Sequence, residues 1–458
     1  VKALFTRNSE LGYLNASYDR SGSQIIVLYG QKNIGKHDLL KTFIADKPSR
    51  YYYAVPASDR ELRFQWGADL ASDGIRTFQY PEYREIFHAM SEKGEGKLVI
   101  IIDEFTNLIK SGRDFITQLV EFVHDQWSKR EVFVVLVSSS VGWVENSLVS
   151  HIGEFAYEIS GFLKVGPLSF DAMSEYFHNF SREECIETYA VLGGYPGLWE
   201  AFDDSMSVKD NICNAVLKQT GPLYNEGTGL IEAELRETAV YSTILASIAA
   251  GSHKLNDLYE HTGFSRAKIS VYIKNLMELG LVEKVFSYDT AGKANTQKGI
   301  YGISNHFLNF YFTFIYPNMS RMQMHTPAEF YSICIAPAFR HYVSPYFRQV
   351  CSQYMSVMNN NSRLPFKYDK SGVWVGKDGT IDLVAQNEKG RTVICLCNWD
   401  KPMMTFDEFD GLMHNAKQAR IKPEYVYLFS ANRFDEKLNL EAKVKKNLKL
   451  VRASEMQI

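Results

Sequence analysis

The stretch Gln24-Ile25-Ile26-Val27-Leu28-Tyr29-Gly30-Gln31-Lys32-Asn33-Ile34-Gly35-Lys36-His37 decides the fold. It opens as a β-branched apolar run that stops at Gly30, and a helical spacing of apolar residues follows from Lys36 through Leu39, Leu40 and Phe43. Strand, glycine-turned loop and helix form the context in which G-x-x-x-x-G-K has physical meaning. There the backbone N–H groups of Gly30, Gln31, Lys32, Asn33, Ile34 and Gly35 cradle phosphates, the helix N-terminus adds its dipole, and Lys36 reaches the terminal phosphates. The motif fails at its last position. A phosphate-binding loop carries Ser or Thr after the lysine, with a hydroxyl that ligates Mg²⁺, whereas here the residue is His37. A neutral imidazole serves that oxygen-preferring ion poorly, so phosphate binding is expected to survive and hydrolysis to be weak or lost.

Working outward, two more continuous apolar runs follow, Leu98–Ile102 and Val132–Val137, separated by the amphipathic stretch Phe115–Trp127. Arg50-Tyr51-Tyr52-Tyr53 reads as a further strand. Strands apolar on both faces and alternating with helices imply a buried parallel sheet, so residues 1–166 read as an α/β P-loop core. Asp103-Glu104 ends the run Leu98–Ile102. In a phosphate-binding setting Asp103 would hold the metal and Glu104 would orient or deprotonate the attacking water, making them the candidate catalytic pair. The bland alternative is an acidic cap after a buried strand. Ser138-Ser139-Ser140, ending the next strand, would sit by the terminal phosphate as a polar sensor, with Ser138 the residue singled out, unless the three serines form a plain turn.

Composition limits what the rest can be. At 458 residues the chain should hold two to four domains. A 45% hydrophobic and 22% charged composition is too apolar for global disorder. A formal net charge of −3 gives no overall basic field, so any DNA contact must be local. Six scattered cysteines do not make a disulfide scaffold and fit a reducing cytoplasm. No run approaches the roughly 20 apolar residues of a membrane span, and Val1 to Glu10 lacks a secretory layout. The expectation is a soluble, cytoplasmic protein without membrane contact.

Residues 167–236 turn helical around Gly193-Gly194-Tyr195-Pro196-Gly197 and read as a small helical lid. Over 237–318, three short helical segments (Tyr241–Ala249, Leu255–Thr262, Ser265–Leu279) precede two strands, Leu281–Phe286 and Gly299–Ile303, which describes a winged helix-turn-helix. Its reading helix would expose Arg266, Lys268, Lys274 and Asn275 to double-stranded DNA, with Lys293 and Lys298 on the wing. Seven Lys/Arg against five Asp/Glu from Lys254 to Ile303 make a weak DNA signal, and interdomain packing is an equal alternative. The run Asn309-Phe310-Tyr311-Phe312 reads as interdomain core rather than a base-stacking platform.

Residues 319–458 return to α/β. Gly372-Val373-Trp374-Val375-Gly376, then Thr380-Ile381-Asp382, then Leu396-Cys397-Asn398-Trp399 resemble the core of a PD-(D/E)xK restriction-endonuclease-like fold. Such a nuclease needs two carboxylates for metal and a lysine for the attacking water. Asp382 is present, but Leu396 and Asn398 stand at the acid and lysine positions, so nuclease activity is expected to be absent. Cys395 and Cys397 face the same way on a strand, and with no Cys or His pair nearby they read as buried thiols rather than metal ligands.

Taken together, the segment Phe5-Thr6-Arg7-Asn8-Ser9-Glu10-Leu11, the loop to His37, Asp103-Glu104, Gly193-Gly194-Tyr195-Pro196, Glu234-Leu235-Arg236, Ala249-Ala250-Gly251, Tyr301-Gly302-Ile303-Ser304 and the aromatic run to Pro317 resemble the archaeal-type P-loop ATPase family. The resemblance spans most of the chain. It implies a relative of AAA-like and signal-transducing (STAND-related) NTPases with winged helix and nuclease-like domains, ATP or ADP as ligand with Mg²⁺ possible, and Pro196 near the adenine. The function expected is a nucleotide-binding ATPase-like protein in which ATP acts mainly as a conformational ligand. The alternative is a DNA-binding regulator or mobile-element-type factor whose nucleotide domain is a scaffold. A homo-oligomer or a protein partner is compatible with both.

Overall fold

Strands that are apolar on both faces must be covered on both faces, and the N-terminal sheet is built that way. The computed structural model describes residues 7–92, 94–112, 114–124, 130–232, 235–290, 299–376 and 379–456. They divide into two units, Val1–Pro167 with Glu278–Gly280, and Leu168–Met277 with Leu281–Ile458.

In the first unit, β1 (Gln24–Tyr29), β2 (Ser49–Tyr53), β3 (Leu98–Asp103), β4 (Val132–Ser138) and β5 (Ile159–Lys164) form one sheet in the order β2-β3-β4-β1-β5. Every pairing is parallel, as the sequence requires. β1 and β4 are buried at every position, whereas β2 at the edge buries Tyr52 and leaves Tyr51 and Tyr53 about half exposed. Tyr52 stacks on Trp66 of the helix Asp59–Ser72 with ring centroids 4.1 Å apart, and this pair anchors the edge strand to the core. β5 is alternately half-buried and exposed, and its Ile-Ser-Gly-Phe-Leu-Lys sequence is too mixed to be read as a strand of a buried sheet.

The second unit joins a helical region, a winged helix and a mixed sheet. The helices Thr238–Ala249, Leu255–Thr262 and Arg266–Glu278 precede the antiparallel pair β6 (Val282–Val285) and β7 (Ile300–Ile303), the winged helix-turn-helix expected. Phe307, Leu308, Phe310, Tyr311, Phe312 and Phe314 of the aromatic run are all buried, hence packing rather than stacking surface. The helix Ala336–Asn360 then leads into β8 (Lys370–Val375), β9 (Thr380–Gln386), β10 (Thr392–Asn398), β11 (Met403–Met404), β12 (Tyr425–Ser430), β13 (Arg433–Phe434) and β14 (Leu448–Arg452). The main sheet runs β14-β12-β10-β9-β8, antiparallel across β8, β9 and β10 and parallel across β10, β12 and β14. A backbone bond from Tyr288 N to Val373 O (2.7 Å) ties the segment after β6 to β8.

The glycine-rich turn at 193–197 packs against the helix His306–Phe310. Gly193 has φ 60°, and a Cβ there would lie 2.9 Å from the His306 ring. The Gly193 carbonyl accepts from Trp199 Nε1 at 2.8 Å, and His306 Nδ1 pairs with Tyr189 O at 2.7 Å. Burial holds the His306 pKa down at about 4, so the ring is neutral when folded. The unfolded chain binds that proton near pH 6.5 and the folded chain refuses it, so this contribution is full above pH 6.5 and is lost as pH falls toward 4. Denaturant titrations between pH 7 and pH 4 are therefore expected to show a shallower acid destabilisation in His306→Gln than in the wild type. The difference should be of the order of 3 kcal/mol across that window.

Candidate functional site

The loop between β1 and the helix Lys36–Phe43 takes its shape from two positions. A Cβ on Gly30 would lie 2.4 Å from the Val165 carbonyl oxygen, so only glycine lets the chain turn away from β1 beneath β5. Gly35 is left-handed (φ 89°, ψ 24°) and caps the helix without a side-chain bond. Asn33 is left-handed as well (φ 63°), a conformation asparagine tolerates better than most residues. The outcome is a loop folded over a helix N-terminus, with the dipole's positive end beneath it.

Lys36 Nζ lies back over this loop, donating to Gly30 O (2.6 Å), Gln31 O (3.1 Å) and Ser139 Oγ (3.0 Å). The serine that reaches the lysine is thus Ser139. Ser138, the position expected from the sequence, is fully buried, and its Oγ accepts from Ser140 N at 3.0 Å. The reason is the strand's alternation: Ser138 is the last residue of β4 and points into the core, so the next residue faces the loop.

Because β4 lies between β1 and β3, the acidic end of β3 stands two strand spacings, roughly 10 Å, from the β1 axis. Glu104 adopts a left-handed backbone (φ 51°), a strained state for glutamate. That turn brings its carboxylate to the β4 terminus, where it accepts from Ser139 N at 3.1 Å. Lys36, Ser139 and Glu104 therefore form one connected group. Asp103 has different partners: Oδ1 accepts from Glu104 N (2.9 Å), and Oδ2 accepts from the Tyr51 hydroxyl (2.7 Å). Burial and the adjacent Asp103 push the Tyr51 pKa up, which keeps it a donor. The exposed His37 ring meets the Tyr51 ring edge-on at 5.9 Å.

These residues suit an anion better than a metal. The loop offers backbone and a lysine, whereas the Mg²⁺ that the resemblance implies would find an imidazole in place of a hydroxyl and a carboxylate whose two oxygens both already accept hydrogens. Among the described residues no cluster of three or more His, Cys, Asp or Glu is arranged to hold a metal ion.

Arg7 is a participant whose role the sequence did not reveal. Its guanidinium is buried and donates to Ile34 O in the loop, to Gly166 O (2.9 Å) and to Glu10 (2.9 Å). Desolvation lowers its pKa while Glu10 opposes that. Arg7 thus ties the loop to the segment after β5. Its neighbours Phe5 and Thr6, like Glu234, Lys293 and Lys298, lie outside the described residues.

Elsewhere the expected residues are dispersed. Pro196 is the first residue of the short helix Pro196–Trp199 in the second unit. On the reading helix Arg266, Lys268 and Lys274 are exposed; Arg266 lies 4.1 Å from the Tyr259 ring and Lys268 lies 4.7 Å from that of Phe264. Asn275 turns inward and donates to the Tyr241 hydroxyl at 2.8 Å. In the C-terminal sheet the β9–β10 ladder ends at Leu383–Cys395, and the Asp382 carboxylate takes over, accepting from Cys397 N (2.8 Å) and pairing with Arg348 (3.3 Å). Burial nevertheless raises its pKa. Cys395 is a buried thiol and Cys397 a half-buried one, and the buried Cys351 joins them through a hydrogen bond with Cys397, all three being free thiols.

A five-stranded parallel sheet with a glycine-lysine loop after β1, one strand in from the edge, and an acidic pair across an inserted strand is the arrangement of P-loop ATPases. Residues 4–202 match the family described as "ATPase domain predominantly from Archaea". Residues 242–284 match "Bacterial regulatory protein, arsR family", and residues 311–415 match "Archaea bacterial proteins of unknown function". An uncharacterized protein of Methanocaldococcus jannaschii is 27% identical over 388 residues, 85% of each chain. The Walker-type ATPase of Pyrococcus abyssi is similar in fold, with a TM-score of 0.50 at 17% identity, covering 68% of this chain and 96% of that one. The ORC2 protein of Aeropyrum pernix reaches a TM-score of 0.43 at 14% identity, covering 70% of this chain and 95% of that one. No helix among the described residues is long and apolar enough to cross a membrane.

Removing the Arg7 tether is expected to lower stability by about 2 kcal/mol, the scale of buried charge-assisted hydrogen bonds. Arg7→Lys should recover only part of the loss, since an ammonium lacks the planar fork that serves three acceptors. Urea denaturation of Arg7→Ala and Arg7→Lys measures both.

Proposed function

We propose that this chain binds a nucleotide through its phosphates at the 30–36 loop, with turnover slow or absent, and that the bound nucleotide acts as a conformational ligand. The observation that carries this reading is the position of Lys36 Nζ, poised on Gly30 O, Gln31 O and Ser139 Oγ above a left-handed Gly35. A nucleotide supplies an anionic phosphate chain to such a loop. The backbone N–H groups and the helix dipole bind it, and Lys36 exchanges carbonyl partners for phosphate oxygens, a stronger, charge-assisted set. Ser139 accepts from the lysine and its own N–H donates to Glu104, so a shift of Lys36 is passed to Glu104 through Ser139. Slow turnover follows from the same geometry. Glu104 accepts from Ser139 N, which competes with orienting a water, and His37 supplies no hydroxyl.

Thermal melting of the full chain with ATP tests this: the wild type is expected to shift upward with nucleotide, and Lys36→Ala to lose the shift. Turnover at an ordinary ATPase rate, dependent on Asp103 and Glu104, would remove the slow-turnover part of the reading.

A second reading, DNA binding by the winged helix, is favoured by the outward placement of Arg266, Lys268 and Lys274 on the reading helix. The C-terminal domain contributes no cleavage on this reading, since Arg348 and Cys397 N occupy the Asp382 oxygens and Leu396 and Asn398 stand at the other catalytic positions. If duplex DNA binds, Arg266→Ala/Lys268→Ala should weaken it and flatten its salt dependence, by about one unit of log–log slope for each phosphate that is no longer neutralised. Plasmid incubated with Mg²⁺ or Mn²⁺ should remain uncut.

A further inference from the structure

We propose that Tyr51 sets the ligand form of this site: it holds Asp103 against a divalent cation, so that the 30–36 loop takes nucleotide phosphates as a metal-free anion. The inference rests on the nucleotide reading and deepens it. Tyr51 and Tyr53 share the face of β2 that meets the end of β3, with Tyr53 directly opposite Asp103. The Tyr51 hydroxyl reaches along that face to Asp103 Oδ2 at 2.7 Å, while Glu104 N takes Oδ1 at 2.9 Å. Metal ligation requires a carboxylate lone pair directed at the ion, and Mg²⁺ accepts little departure from octahedral oxygen geometry. Each carboxylate oxygen keeps a second lone pair, so the effect is a bias against the cation rather than a block.

The bias is built from two departures that touch each other. At position 37 the hydroxyl ligand is replaced by an imidazole, and that ring braces the Tyr51 ring edge-to-face at 5.9 Å. One residue thus withdraws a metal ligand and supports the group that occupies the other. A purely architectural role for Tyr51 fits less well. The edge strand is already fixed by the buried Tyr52 and its stack on Trp66, and Tyr51 itself is 44% exposed. Without a metal, the charge of the phosphates falls to Lys36 and the backbone N–H groups of the loop.

Calorimetric titration of the full chain with ATP, in EDTA and in excess Mg²⁺, tests the proposal on the wild type, Tyr51→Phe and His37→Thr/Tyr51→Phe. The wild type should bind with the same affinity in both buffers. Tyr51→Phe should gain about tenfold in Mg²⁺ and nothing in EDTA, the scale of one hydrogen bond to a charged group no longer displaced. The double variant should gain more in Mg²⁺, and its melting temperature without ligand reports whether the fold is intact. A wild type that Mg²⁺ tightens more than about tenfold would overturn the metal-free site, as would a Tyr51→Phe that gains nothing in Mg²⁺, and either leaves nucleotide binding standing. Absence of ATP binding in every buffer and variant would overturn the nucleotide reading and this inference with it.

Discussion

The close approach of the Val165 carbonyl to Gly30 is the constraint on which the phosphate-loop region depends. The 2.4 Å separation from a notional Cβ means that β1 can end and reverse only at a residue without a side chain, directly beneath the chain leaving β5. The backbone bond from Val165 N to Tyr29 O (2.7 Å) locks the same junction from the other side. With the turn fixed there, the loop climbs over the helix N-terminus, Lys36 projects back across it, and Arg7 fastens the loop at Ile34 and the exit of β5 at Gly166. β1 is buried along its whole length and paired in parallel on both edges, with β4 and with β5.

Much of this was legible in the sequence because burial and loop chemistry write themselves locally. The continuous apolar runs at β1, β3 and β4 demanded a doubly covered parallel sheet, and the glycines at 30 and 35 with Lys36 specified the turn between strand and helix. What escaped were features whose cause is tertiary. β5 is half-exposed and carries no periodic signature. Ser139 rather than Ser138 faces Lys36 because of where β4 ends, a boundary finer than pattern reading resolves. Arg7 meets its partners at Ile34 and Gly166, far apart in the chain, and nothing in its own neighbourhood announces them. Tyr51 was legible as a strand residue but not as a partner of Asp103, which depends on the order β2-β3 and the face the two share.

In the second unit the β9–β10 ladder ends at Leu383–Cys395, and beyond it the Asp382 carboxylate accepts from Cys397 N and pairs with Arg348. The flanking thiols of Cys351, Cys395 and Cys397 make that interior apolar and raise the cost of any charge placed there. Likewise the 193–197 turn is consumed by packing: Gly193 admits His306, and Trp199 fastens to the Gly193 carbonyl.

The bond from Tyr288 N to Val373 O, with Val375 N donating to Ser287 Oγ at 3.0 Å, bears on how this protein can meet others. An open sheet invites a foreign strand along either margin, a route to both recognition and aggregation. Here Tyr288 and Ser287 of the protein's own wing segment take Val373 O and Val375 N on the β8 margin, so those two backbone groups are already spent. The opposite margin is β14, where Leu448–Arg452 runs parallel to β12. A foreign strand pairing along the whole of β8 would have to displace the Tyr288 and Ser287 bonds.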